Sequence, residues 1–412
     1  MITKYFYITL FLILIRLAPV AGQGGFVIPA RVQQVDIPFD FVNNFIIVNL
    51  VINNTLTLRM IFDTGAEHTI LSKREISDVL NVPYEREFRL MGADLKTEIV
   101  AYLARKIRFD VPNVTCTAPA EDILILQEDY FRFEEYAGVS VHGILSAKSF
   151  ANYIFKINYQ KKVISLYNRN EFPGPDARYK KVPVQIYRNK IYLNTKASFQ
   201  QGTQSNVKLL LDTGAALPLL FFTNTDTLVQ PPGNALKTNI GMGLGGYLEG
   251  YIGRTEGLDI GSFHQKGIVT YFQEIDTTQD PSALNGRNGL IGNMMLNRFQ
   301  IIIDYSNSSM WFSPSNKFEE KYVFDRSGMT LIAGGKHLNK ISVLAIIPGS
   351  PADEADIRPG DRILRLGIIP ASYIGLPTIM HILQKKPGKK IRLTISRDGK
   401  RLKKHFRLRD LI

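Results

Sequence analysis

The sequence predicts a mainly β protein built from two copies of one fold, followed by a smaller β-rich domain. Three observations carry that expectation. Asp63-Thr64-Gly65-Ala66 recurs as Asp212-Thr213-Gly214-Ala215, 149 residues further on. Short apolar runs between Asn-rich and Gly-rich turns dominate, and helical periodicity is scarce. Lys317 to Ile412 carries 20 basic and nine acidic side chains, whereas Gln23 to Asn316 carries 28 of each. The chain's 412 residues are 45% hydrophobic and 21% charged, which excludes disorder, collagen and a polytopic membrane protein. Cys116 is the single cysteine, so no disulfide framework exists.

In chain order, Lys4 precedes an apolar run from Tyr5 to Ile15, and the small residues up to Gly22 suit cleavage. Residues 1–22 are therefore expected to be an export signal, with a periplasmic or extracellular mature chain. The run is short for a bilayer span, so stable membrane insertion is not expected; an uncleaved anchor is the alternative. No cysteine follows it, which excludes an acylated amino terminus.

The repeat extends well beyond the tetrapeptide. One register relates Tyr102-Leu103-Ala104-Arg105 to Tyr251-Ile252-Gly253-Arg254, Phe109-Asp110-Val111 to Leu258-Asp259-Ile260, and Gly92 to Gly241. After a three-residue loop difference, Gly143-Ile144-Leu145 matches Gly289-Leu290-Ile291, and Ile157-Asn158-Tyr159 matches Ile303-Asp304-Tyr305. With average residue usage, one preset tetrapeptide is expected ~0.006 times in such a chain. The triplets Met60-Ile61-Phe62 and Leu209-Leu210-Leu211 place each aspartate at the end of a buried strand, where glycine lets the chain turn. Two such copies associate about a pseudo-two-fold axis within a monomer. Asp63 and Asp212 then meet, and carboxyls that close share one proton near neutral pH. The charged one can take a proton from a water, while the protonated one donates to a carbonyl under attack.

Asp-Thr-Gly-Ala after an apolar triplet, with Gly-Ile-Leu or Gly-Leu-Ile-Gly about 80 residues later, resembles the retropepsin and pepsin clan of aspartic proteases. The resemblance covers roughly Val35 to Pro314 and implies a bilobal acid-protease fold, with lobes at 23–170 and 171–316. It makes Asp63 and Asp212 the catalytic pair. It gives Thr64 and Thr213 the bonds that lock the two loops, Gly65 and Gly214 contacts with substrate backbone, and Ala66 and Ala215 supporting places beside the dyad. Hairpins around Gly92 and around Gly241, Gly243, Gly245 and Gly246 would be flaps closing over a polypeptide substrate. Water is the implied nucleophile, so no metal or organic cofactor is expected. Pepsins usually have Ser or Thr where Ala66 and Ala215 stand; without that donor a less acidic pH optimum is expected. Asn293 stands where retropepsins commonly carry arginine, and Ser146 replaces the second closing glycine in the first copy.

Ser313-Pro314-Ser315-Asn316 and the charged residues after it suggest a linker. Beyond it, Pro348-Gly349-Ser350-Pro351-Ala352, Pro359-Gly360-Asp361 and Ile363-Leu364 resemble bacterial PDZ domains, placing one at 317–412, with Asp356 at a position commonly glycine. Pro377 to Lys386 suits a short helix stopped by Pro387-Gly388, and Asp398-Gly399 a hairpin turn. Such domains add a peptide strand and capture its terminal carboxylate in backbone amides, here around Gly328, Met329, Thr330 and Leu331 beside Arg326. A C-terminal peptide is thus an expected ligand. The basic surface lacks interleaved aromatics, so nucleic acid is not.

Single residues weigh less. Cys116 and His142 suit packing or surface places, and no metal-ligand spacing surrounds the histidines. Glu67 and His68 suit a subsite or a solvated turn. Tyr102 and Tyr251 recur in register, which favours packing. The expected function is an exported aspartic endopeptidase with a PDZ domain that positions polypeptide; the alternative is a non-catalytic peptide-binding scaffold of the same fold.

Overall fold

The computed structural model describes residues 24–91, 98–243, 246–275 and 284–412. The expected export signal at 1–22 and the expected flap residues Gly92 and Gly245 lie outside the described residues. The protein is mainly β.

The strands Gln34–Val42, Phe45–Ile52 and Leu56–Asp63 form an antiparallel meander. Its first turn is Asn43-Asn44 with φ of 45° and 66°. Left-handed backbone at two consecutive positions is what a two-residue hairpin matching strand twist requires, and asparagine tolerates it. In the second half Arg188-Asn189 turns the same way, with φ of 47° and 60°, between Gln185–Tyr187 and Lys190–Ser198.

One pairing scheme surrounds each aspartate. Leu56–Asp63 runs parallel to Gly143–Ser146, with Asp63 opposite Ser146, and Ile70–Leu71 lies antiparallel on its far side. Gln204–Asp212 runs parallel to Gly289–Gly292, with Asp212 opposite Gly292, and Leu219–Phe222 lies antiparallel beyond. Gly143 and Gly289 are needed for close approach: a Cβ on either would strike the carbonyl oxygen of Ile70 or of Leu220. Each half also carries a long hairpin, Arg86–Met91 with Glu98–Asp110 and Leu236–Gly243 with Gly246–Ile260.

Two outer strands join the halves. Ile154–Asn158 pairs antiparallel with Phe299–Asp304, Ile157 opposite Ile301. Beneath them lies one apolar core fed by both halves, in which Phe62, Phe155, Phe299 and Phe312 are fully buried. Burying side chains of that size stabilises by about 1.5–3 kcal/mol each relative to exposure, so this shared core ties the halves strongly.

The carboxy-terminal domain has its own core, from Met329 to Leu408. Its helix is Leu376–Leu383 with proline in the first turn, and Asp398-Gly399 turns between Lys390–Arg397 and Lys400–Arg407. Asp356 adopts φ 51°, the backbone its position demands, and its carboxylate accepts from Arg358 Nε at 2.7 Å and Lys404 Nζ at 2.7 Å. Those cations hold it well below the usual carboxylate range. Among the described residues no helix is long and apolar enough to cross a membrane.

The segment expected as a linker is pinned instead. Phe318 packs on Phe299 with ring centroids 5.3 Å apart, and the Arg298 guanidinium lies 3.6 Å over the Tyr322 ring. Arg298 also donates to the Lys317 and Phe318 carbonyls, and Tyr322 OH donates to Gln265 Oε1 at 2.7 Å. Its polar composition suggested solvent exposure, but the aromatic residues within it found apolar partners on the second half.

Candidate active site

The two Asp-Thr-Gly loops meet. Thr64 N donates to Thr213 Oγ1 at 3.1 Å and Thr213 N to Thr64 Oγ1 at 3.1 Å. Each hydroxyl then donates across to the opposite strand, Thr64 Oγ1 to Leu211 O at 2.7 Å and Thr213 Oγ1 to Phe62 O at 2.8 Å. Both threonines are buried, so these four bonds form away from water, where leaving one unmade costs about 1–3 kcal/mol.

That lock crosses the carboxyls. A Cβ on Gly65 would stand 2.8 Å from Asp212 Cγ, and one on Gly214 would stand 2.5 Å from Asp63 Cγ. Only glycine leaves room for the opposite carboxyl at either place. Within each loop Asp63 Oδ1 accepts from Gly65 N at 2.6 Å and Ala66 N at 3.2 Å, and Asp212 Oδ1 accepts from Gly214 N at 2.8 Å. Each carboxyl feels the other as a neighbouring titratable group.

Burial raises the pKa of both acids, and the Asp212 charge pushes Asp63 further up. For Asp212 the neighbouring Asp63 carboxyl, the Gly214 amide and the charge of Arg287 work against the rise. The pair therefore keeps one proton into a pH range where a lone carboxyl has lost it. Such a pair can accept a proton from water at one oxygen and donate one at another.

Two basic side chains near the aspartates were not singled out in the sequence. Arg287 stands two residues before Gly289, its guanidinium 5.7 Å from the Phe222 ring centroid, and its Nε is buried without a hydrogen-bond partner among the described residues. Lys190 opens the strand after the Arg188-Asn189 turn and feels Arg287, Glu67 and both aspartates; burial lowers its pKa and that of Arg287. Superposing the two repeats by their turns and glycines would have exposed the pair, because Phe45 and Val141 occupy those places in the first half.

The other expected residues divide. Gly241, Gly243 and Gly246 form the end of a tight hairpin, with Gly243 opposite Gly246. Asn293 joins the halves as a polar tie: its Nδ2 donates to Asn44 O at 2.7 Å and its Oδ1 accepts from Tyr159 OH at 2.5 Å. Ser146 Oγ donates to Ala66 O at 2.7 Å, holding the first loop from behind. Burial lowers the pKa of His68, and the neighbouring Glu67 charge works against that fall. His142 is structural, its Nδ1 accepting from Arg59 N at 2.9 Å. Cys116 is a buried apolar filler whose thiol burial pushes up to about 12. Tyr102 packs on Tyr84 with centroids 5.2 Å apart, but Tyr251 is 40% exposed, so packing explains only the first of that recurrent pair.

In the carboxy-terminal domain the expected carboxylate loop is already engaged. Gly328 N donates to Asp325 Oδ1 at 2.7 Å and Met329 N to Ser327 Oγ at 3.1 Å, while Thr330 and Leu331 pair with Ala345 and Val343 in the sheet. Residues 317–406 match the PDZ domain family. The carboxy-terminal module is a PDZ domain. No curated protein matches the chain. Among solved structures, an aspartic proteinase from Irpex lacteus aligns at 12% identity with a TM-score of 0.43, covering 70% of this chain and 99% of that one. The PDZ family binds peptides.

Proposed function

We propose that the protein is an aspartic endopeptidase, formed by two lobes of one duplicated fold, that hydrolyses polypeptide with a water activated between Asp63 and Asp212. The crossed geometry carries this reading: each carboxyl lies on the other loop's glycine, and both loops are clamped by the Thr64 and Thr213 bonds. In the reaction the ionised carboxyl takes a proton from water as its oxygen attacks the peptide carbon, and the protonated carboxyl gives its proton to the carbonyl oxygen. Proton transfer to the departing nitrogen then breaks the C–N bond, releasing an amine and a carboxylic acid and leaving the pair with a single proton. The hairpins ending near Gly92 and Gly241–Gly246 would close over the substrate and exclude water. The mature chain would act outside the cytoplasm after removal of residues 1–22.

The test is incubation of the mature chain with an unstructured polypeptide, alongside Asp63→Asn and Asp212→Asn forms. Cleavage by the parent, lost in both variants and blocked by a hydroxyl-bearing transition-state mimic, supports the reading. A folded parent that binds peptide without cleaving it would make the chain a scaffold.

A further inference from the structure

The PDZ groove lies between the edge strand Met329–Gly334 and the helix Leu376–Leu383. Adding an outside peptide there needs an open strand edge beside the helix and loop amides free to take a carboxylate. The first half of this chain already stands at both walls. Its helix Phe133–Ala137 packs on Met329–Gly334. Gly138, which ends that helix with φ 69°, sits on the start of the groove helix: a Cβ there would lie 2.8 Å from Leu376 Cβ and 3.0 Å from Pro377 Cδ. Asn43 caps the same helix, donating to Tyr136 O at 3.2 Å and Ala137 O at 3.0 Å, and its Nδ2 lies 3.6 Å from Met380 Sδ one turn further along the groove helix.

The loop end is engaged from within. Asp325 Oδ1 accepts from Ser327 N at 2.8 Å as well as from Gly328 N, and so occupies amides of the turn that leads into the groove strand. Arg326, the cation expected beside a bound carboxylate, instead bonds Asp410 Oδ1 at 2.6 Å and Gln384 O at 2.6 Å.

Further contacts place the domain across both halves. Its second strand, at Leu344, Ala345 and Ile346, shares a surface groove with Lys237, Thr238 and Glu249 of the second-half hairpin whose tip is Gly241–Gly246.

We propose that the PDZ groove is an internal docking site whose resident ligand is residues 133–138, so that the domain braces the two halves of the cleft. An outside polypeptide binds the groove only in the fraction of molecules where this segment has left it, and its apparent affinity falls by that fraction. The assignment holds whether or not the aspartates hydrolyse peptides.

The test uses the full mature chain and two variants, Gly138→Arg on the docked segment and Met380→Lys on the groove, with near-UV circular dichroism confirming that each folds. Hydrogen exchange is read at 133–138 and 329–334, and binding of a labelled peptide with an apolar free-acid C-terminus is read by anisotropy. Both segments are expected to lose protection together in either variant, with peptide affinity in the parent at least about tenfold below that in the Gly138→Arg variant, whose groove is unchanged. Protection that persists in either segment of both folded variants, or a peptide that binds the parent as tightly as the Gly138→Arg variant, overturns the proposal.

Discussion

The two halves share a backbone around the dyad but present opposite walls to it. In the first half Phe45 follows the hairpin turn and Val141 precedes the buried glycine by two residues, and both pack with Ile47, Ile61 and Ala137. In the second half the same two places hold Lys190 and Arg287. The matching strand pairings form a symmetric cradle, and these side chains make its surroundings unequal. Asp63 is raised by burial and by its neighbour's charge, while the Arg287 charge restrains the rise at Asp212. Arg287 thereby puts a cation beside one member of the pair that has no counterpart in the first half.

Exchanging features between the halves probes this comparison. The largest effect is expected at the closing motifs. A Cβ at Gly292 would strike the carbonyl oxygen of Leu217, so Gly292→Ser should destabilise by more than about 4 kcal/mol or prevent accumulation of folded protein. Denaturant unfolding checks it. Next comes the lock. Thr213→Val leaves Thr64 N and Phe62 O without a buried partner, an expected loss of about 2–4 kcal/mol, with kcat falling because the carboxyls lose their fixed spacing.

A third effect concerns pH and stability. Both carboxyls have folded pKa values above their unfolded ones, so the folded state binds the shared proton more tightly. That contribution is full below the ordinary aspartate value, about 3.9, and is lost as pH rises through the raised folded values. Asp212→Asn removes the second charge, so its Tm should fall less than the parent's between acidic and neutral pH in thermal melts. Arg287→Gln tests the cationic wall: without that charge Asp212 rises, and the acid limb of the kcat/KM profile should move up by as much as about one pH unit. The equivalent Val141→Ala change should leave the limb in place. The smallest effect is expected for Ser146→Gly, which gives the first half the second half's residue and loses the bond to Ala66 O, about 1 kcal/mol by chemical denaturation.

The two Asp-Thr-Gly turns and the Asp398-Gly399 turn were visible in the sequence because each rests on local chemistry: a strand end, a glycine, a left-handed turn; the crossing bonds of Thr64 and Thr213 were implied only by the family resemblance. The helix at Leu376–Leu383 showed itself through its proline and its stop signal in the same way. Lys190 and Arg287 gave no such signal, since their meaning depends on which strands are neighbours. Ser313 to Asn316 and the charged residues after them suggested a linker because polar composition does not reveal that Phe318 and Tyr322 have apolar and cationic partners outside the segment. The PDZ loop pointed to a carboxylate site for a related reason. The Gly328-Met329 motif can be seen in the sequence, but the Asp325 carboxylate that takes the Gly328 amide is known only from the fold.

The pH dependence of kcat/KM on an unstructured peptide tests the shared proton most directly. A bell is predicted, its optimum above the pH 3 region, with one limb for each proton of the pair and no measurable rate when either aspartate is replaced by asparagine. A rate that survives either single replacement, or an optimum below about pH 3, where the lower member of a pepsin-like pair titrates, would contradict the account.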